Sequence, residues 1–244
     1  MISQPVIAFE ALPPTTPARV ELEVVWRDQR NAESELLVPS LVRQFVLLGK
    51  SGGLAGPTNA PSDSMVEVSE EVVDDRAGRW TFNMSGVHPG AAATLYNVVA
   101  FSHALIRPLE YARIRSGLPH GRRLPAPITG RSAVVPFETD VALDSDDVQI
   151  CAEFRQPPDE TEAARIRAIL IAWCDITAAG GFETDLSDVT KVLLDLMEYP
   201  DWLNTEVWVH LADASFDESA LDALVNALCG VHVRFKPIVR VEVQ

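Results

Sequence analysis

The sequence predicts an α+β protein built from two like halves, and three observations carry that reading. Val20-Glu-Leu-Glu-Val-Val-Trp-Arg27 returns as Val148-Gln-Ile-Cys-Ala-Glu-Phe-Arg155. The pair Gly52-Gly53 returns as Gly180-Gly181, and Trp80 returns as Trp208. All three recur at one separation, 128 residues (148 − 20, 180 − 52 and 208 − 80). Between these markers, period-two and helix-period apolar patterns follow in the same order in both halves.

Composition sets the bounds. A chain of 244 residues with 47% hydrophobic content can bury a sizeable core, and ~100–200 residues per domain allows one or two domains. The 23% charged content and mean hydropathy of +0.08 exclude a disordered composition. No apolar run approaches the ~20 residues of a membrane helix. Met1-Ile-Ser-Gln-Pro5 lacks the basic region and apolar core of a secretory signal, so a cytoplasmic protein is expected. Cys151, Cys174 and Cys229 form no Cys-x-x-Cys pair and read as reduced thiols. The net charge of −15 is unevenly placed. Residues 19–116 carry 10 Lys/Arg against 12 Asp/Glu, whereas residues 146–244 carry 7 against 19. Phosphate contacts need clustered cations, so nucleic acid is not an expected partner. The acidic half suits a basic protein partner, or serves only solubility.

Taken in order, residues 1–18 hold Pro5, Pro13, Pro14 and Pro17 and read as an extended arm lying on the first unit. Val20, Leu22, Val24 and Trp26 alternate with Glu21, Glu23 and Arg27, giving a strand with one apolar face. Val38, Leu41, Val42, Phe45 and Leu48 recur at helical spacing, with Pro39 in the first turn and Gly52-Gly53 as the C-terminal cap. Residues 54–64 read as a loop. Met65–Val73 and Arg79–Met84 read as strands joined by a hairpin turn at residues 74–78. A second helix begins at Pro89, and residues 109–115 make a last strand.

This β-α-β-β-α-β order resembles the ferredoxin-like arrangement. The resemblance implies two helices on one face of a four-stranded antiparallel sheet, with the first and third strands central. It covers residues 19–116 and again 148–244. Residues 117–147, with Pro119, Pro125, Pro127, Pro136, Arg122, Arg123 and Arg131, read as a linker. In the second unit a helix from Thr161 buries Ile166, Ile169, Leu170, Trp173 and Ile176. Ser215-Phe-Asp-Glu218 reads as a capping box for the last helix, which Gly230 closes. Val231–Val243 then reads as the last strand, with Pro237 arguing for a sheet edge. Residues 189–197 fit a helix as well as the strand the repeat demands. One phase conflict stands out. Trp80, Phe82 and Met84 form the apolar set of the first unit's third strand, but Val207, Val209 and Leu211 form that of the second. Either the register slips by one residue or the units bury opposite faces. The second alternative, favoured here, sets the helix-free faces against each other around Trp80 and Trp208, as in a dimeric α+β barrel within one chain.

Catalytic motifs are absent. Gly49-Lys50-Ser51 is no phosphate loop, because Phe45 stands where the first glycine belongs. No His-Glu-x-x-His, zinc-spaced Cys/His set, nucleophile elbow or EF-hand occurs among His88, His103, His120, His210, His232 and the acidic residues 140–147. No metal or cofactor is expected. One constellation remains, on the second unit's helix-free face: Cys151, Glu153 and Arg155 from the first strand, and Glu206, Trp208 and His210 from the third. There a Glu/His pair would supply acid and base and an Arg would hold an anion, unless these are ordinary polar residues of an exposed sheet. The expected function is a non-catalytic protein-binding module: an adaptor, inhibitor or immunity-type partner. The alternative is a small-molecule-binding protein or enzyme using that helix-free face. A third reading is a homo-oligomer joined through exposed edge strands.

Overall fold

The computed structural model describes residues 6–27, 37–74, 76–105, 109–119, 126–127, 130–142, 148–184, 196–197, 200–212 and 218–244. Along the chain run β1 (Val6–Ala11), β2 (Ala18–Trp26), α1 (Leu37–Ser51), β3 (Met65–Val73), β4 (Ala77–Ser85), α2 (Ala91–Leu105) and β5 (Leu109–Ser116). There follow β6 (Glu138–Val141), β7 (Val148–Phe154), α3 (Glu160–Ala178), β8 (Leu196–Met197), β9 (Asp201–Leu203), β10 (Glu206–Ala212), α4 (Glu218–Arg234) and β11 (Ile238–Val243). The protein is α+β, with two mixed sheets and these four helices.

The first sheet runs β1-β5-β2-β4-β3 and the second β6-β11-β7-β10-β8, with β9 also on the outer edge of β10. Within each sheet the outermost strand, β1 or β6, pairs parallel to its neighbour, and the other pairings are antiparallel. The proline-rich arm therefore enters the first sheet as a strand. The linker contributes β6 to the second, and it is also bound to α4. Asp222 accepts from Gly130 N (2.7 Å) and Arg131 Nε (2.9 Å), and Asn226 Oδ1 accepts from Ser132 N (2.8 Å).

The two sheets do not face each other. Ala18, Val20, Leu22, Val24 and Trp26 on β2 are buried, as are Val148, Ile150, Ala152 and Phe154 on β7. The helices lie between the sheets: α1 packs on α3 and α4 as well as on α2. The expected barrel-like packing is thus corrected. Its physical cause is visible in α2 and α4, which are too apolar and small-residued to present a polar face. Every residue of α4 from Ser219 to Val231 is buried, as a helix enclosed on all sides requires. The phase conflict resolves as a one-residue slip. Leu22 pairs with Trp80, whereas the matching Ile150 pairs with Val209. Trp80 accordingly lies buried on the helix side, and Trp208 is half-buried on the opposite face.

Local signals fare better. Gly52 adopts φ 102° and Gly53 N donates to Leu48 O, while Gly180 adopts φ 64° and Gly181 N donates to Ile176 O. Asp74 Oδ1 accepts from Arg76 N and Ala77 N and closes the β3–β4 turn. The helix expected from Thr161 starts one residue earlier, after an Asp159/Glu162 capping box. Three expectations at the C-terminal end fail. Gly230 does not close α4, which continues to Arg234. Instead, a Cβ there would stand 1.7 Å from Ser51 O, so glycine lets α4 cross the end of α1. Residues 231–234 are helical, and β11 is interior to its sheet, between β6 and β7. Pro237 precedes that strand, and its carbonyl accepts from Arg155 N (2.9 Å). Arg122, Arg123, His120, residues 189–195 and the Ser215–Asp217 part of the expected capping box lie outside the described residues; Leu196–Met197 are strand.

Two pairs of bonds recur across the halves. Asn97 on α2 donates to Glu183 O after α3 (2.8 Å), and Asn226 on α4 donates to Ala55 O after α1 (3.0 Å). His103 Nδ1 accepts from Leu109 N (2.8 Å), and His232 Nδ1 from Ile238 N (3.1 Å).

Candidate functional site

Five of the six candidate residues, all but Arg155, share the helix-free face of the second sheet, because side chains alternate along β7 and β10. Their neighbours follow from the register. Cys151 sits opposite Trp208 and, on its other side, Glu242; Glu153 lies between Glu206 and Arg240. Trp208 donates Nε1–H to Glu206 Oε2 at 3.0 Å and stacks on His210, with ring centroids 6.4 Å apart and planes at 16°. Arg240 pairs with Glu242 (2.7 Å) and Asp140 (3.3 Å). Arg155 is exposed just beyond the end of β7.

The structure does not bring Glu153 and His210 together. Glu153 is opposite Glu206, while His210 is opposite Gln149. Four residues of strand set the two apart by about 13 Å, at ~3.3 Å per residue. The acid–base couple is therefore not formed. Cys151 is a poor nucleophile as well. Burial, then the nearby carboxylates of Glu206, Glu242 and Glu153, push its thiol up to about 12, against a smaller opposite pull from Arg240. Burial raises Cys229 to about 12 and also raises Cys174.

A thiol with a raised folded pKa contributes stability that is fully present below the unfolded value near pH 9. That stability is lost as pH rises through the folded value. Thiol titration with a disulfide reagent at pH 8 should be slow in the native protein and complete in denaturant, and urea midpoints should fall from pH 9 upward. Rapid native-state labelling of Cys151 would contradict the burial argument.

Histidines are similarly committed. His88 Nδ1 accepts from Gly90 N (3.0 Å), and burial lowers its pKa. His103 is lowered by burial and by the Arg27 charge, and it keeps the neutral acceptor nitrogen that its bond to Leu109 needs. Among the described residues, no group of three or more His, Cys, Asp or Glu is placed to hold a metal ion. None of the described helices is long and apolar enough to cross a membrane.

Sequence reasoning missed the corresponding face of the first sheet. Arg19, Glu21, Glu23, Glu70, Arg79, Thr81, Arg113 and Arg115 line a shallow depression of about 290 Å³. Its ladder comprises Arg19–Glu21 (2.8 Å), Arg115–Glu21 (2.7 Å), Arg115–Glu10 (3.3 Å) and Arg79–Glu23 (3.0 Å), while Arg113 lies over the Tyr111 ring and donates to its hydroxyl. The signal was present as period-two charges, Arg19/Glu21/Glu23 and Arg113/Arg115, but the strand pairing needed to join them was not. The ladder is self-neutralising and exposed, so it contributes little to stability.

No family model matches the chain, and no curated protein matches it. Among solved structures, a protease from Helicobacter pylori is 8% identical, with 93% of this chain and 78% of that one covered, at a TM-score of 0.20. The periplasmic protease PqqL from Escherichia coli is 10% identical, with 89% and 34% covered, at 0.21. Complex III2 from Candida albicans is 9% identical, with 91% and 81% covered, at 0.20. At these scores, the likeness carries no argument about function.

Proposed function

We propose that this chain is a non-catalytic protein-binding module made of two ferredoxin-like units in tandem, and that its acidic half receives a basic partner. The tandem reading is supported by the matched strand orders β5-β2-β4-β3 and β11-β7-β10-β8. It is supported further by the paired Asn97/Asn226 and His103/His232 bonds, whose positions differ by 129 residues (226 − 97 and 232 − 103).

One observation carries the functional reading: among the described residues, most of the groups best suited to chemistry are used structurally, His210 excepted. All three cysteines are buried, and His88, His103 and His232 accept backbone N–H groups. What faces outward on the second sheet is charge, with Asp140, Glu153, Glu206 and Glu242 set against Arg240. An acidic surface of this kind steers basic partners. The small-molecule alternative has less support, since among the described residues no second sheet covers that face.

The test is a panel of synthetic peptides graded from acidic to basic, titrated against the whole protein at low and physiological salt. Affinity should rise with positive charge, fall with salt, and drop several-fold in Glu206→Gln/Glu242→Gln. Binding that ignores both charge and salt would overturn the reading.

A further inference from the structure

The outer edge of β3 combines three features found together nowhere else among the described strands. It is an edge: β3 pairs with β4 on one side and, among the described residues, with no strand on the other. Backbone N–H and C=O groups on such an edge are ready for another strand. It is also apolar in the wrong place for a solvated strand. Met65, Val68 and Val72 are 49%, 36% and 52% exposed, which is three of the seven exposed large hydrophobics among the described residues. It is acidic as well: Glu67, Glu70 and Glu71 are exposed, and Glu67 and Glu70 make no ion pair among the described residues. Glu70 borders the depression in which Arg79 already pairs with Glu23, and Glu71 accepts from Trp80 Nε1 (3.1 Å).

The two faces of the edge differ. Val68 and Glu71 face α1, where a cavity of about 180 Å³ is lined with Val42, Val46, Leu47 and Trp80, and with Arg43 and Lys50. Glu67 and Glu70 lie opposite Asn83 and Thr81, on the helix-free side, together with Met65 and Val72 opposite Ser85 and Arg79. A bulge at Ser69 divides the edge into two short arms, Met65–Val68 and Glu70–Val73.

From this arrangement, we infer that β3 is a docking edge for an extended basic segment of another protein, added as a further strand of the first sheet. Main-chain hydrogen bonds give such strand addition its affinity, and alternate side chains give it specificity. Here one set of side chains would be apolar and enter the cavity beside α1. The other set would be Lys or Arg and meet Glu67 and Glu70. A second copy of this chain is the wrong occupant. Antiparallel self-pairing sets the Glu67, Glu70 and Glu71 carboxylates against their own image, and like charges across a strand pair repel. The inference rests on the chain being a protein-binding module, but not on its acidic second half.

The probe is a capped, fluorescently labelled peptide alternating Val with Lys, titrated against the whole protein by anisotropy, with hydrogen exchange followed at the β3 amides. Two control peptides accompany it: one alternating Val with Glu, and one with Lys but N-methylated at alternate residues. The Val/Lys peptide should bind and slow exchange along residues 65–73. Each control, and the variant Glu67→Lys/Glu70→Lys, should weaken binding about tenfold or more. If that variant fails to fold, Glu67→Gln/Glu70→Gln should give the same direction. Binding that survives N-methylation, or that leaves β3 exchange unchanged, overturns the proposal. Binding that responds only to Glu206→Gln/Glu242→Gln overturns it too, yet leaves the module reading standing. Sedimentation showing dimers that Glu67→Lys/Glu70→Lys disperses would assign the edge to self-pairing instead.

Discussion

Asn226→Ala should lower the unfolding free energy by about 3 kcal/mol, read from the shift in urea midpoint at unchanged slope. Asn226 is fully buried, and its amide serves two backbone groups from distant parts of the chain. It donates to Ala55 O in the loop after α1 and accepts from Ser132 N in the segment leading to β6. Alanine leaves a carbonyl and an N–H without a partner in a setting that water reaches poorly. Each such group costs roughly 1–3 kcal/mol. Asn97→Ala is the internal control. Asn97 donates to Glu183 O at 2.8 Å, with a longer contact to Gly181 O at 3.5 Å. It should cost about half as much. Equal effects, or a change below ~0.5 kcal/mol at Asn226, would show that water replaces the amide.

Gly230→Ala has the clearest sign. In a helix interior, glycine to alanine ordinarily stabilises by up to about 1 kcal/mol. Here the new methyl would lie 1.7 Å from Ser51 O and 2.8 Å from Ser51 C, both backbone atoms. No side-chain rotation relieves that clash, so α4 and the end of α1 must separate. Destabilisation by about 3 kcal/mol or more is expected, at or beyond the upper end of overpacking effects. Calorimetry or denaturant titration reads it directly. A stabilised variant would mean that the two helices do not cross there.

These two residues also show where the sequence was legible and where it was not. Patterns confined to a few neighbours came through. The alternation of Val20 to Trp26, the helix holding Phe45, the left-handed Gly52 and the turn at Asp74 each depend on local backbone chemistry. What failed depended on partners distant in sequence. Gly230 looks like a helix stop, since glycine commonly is one; only Ser51, far back in the chain, reveals its use. The layer order follows from the make-up of the helices and not from the phases of Trp80 and Trp208. Ala91-Ala-Ala-Thr-Leu95 and Ala220-Leu-Asp-Ala-Leu-Val-Asn-Ala227 offer no polar stripe, and that lack pointed to helices enclosed between sheets. The candidate site was half legible. Period two placed Cys151, Glu153, Trp208 and His210 on one face, but the antiparallel register that sets Glu153 opposite Glu206 and His210 opposite Gln149 is a pairing between distant strands, which no local pattern encodes.

The crossed asparagines bear on how the molecule comes apart. Each half lends a side chain that finishes the other half's helix-end loop, and the helices of both form a shared interior. Severing the chain between Leu118 and Gly130 should therefore not release two soluble pieces; each fragment would carry a naked greasy helix layer and precipitate unless its mate were present. Heating the intact protein should likewise melt both halves in one step, with no plateau at which one survives alone.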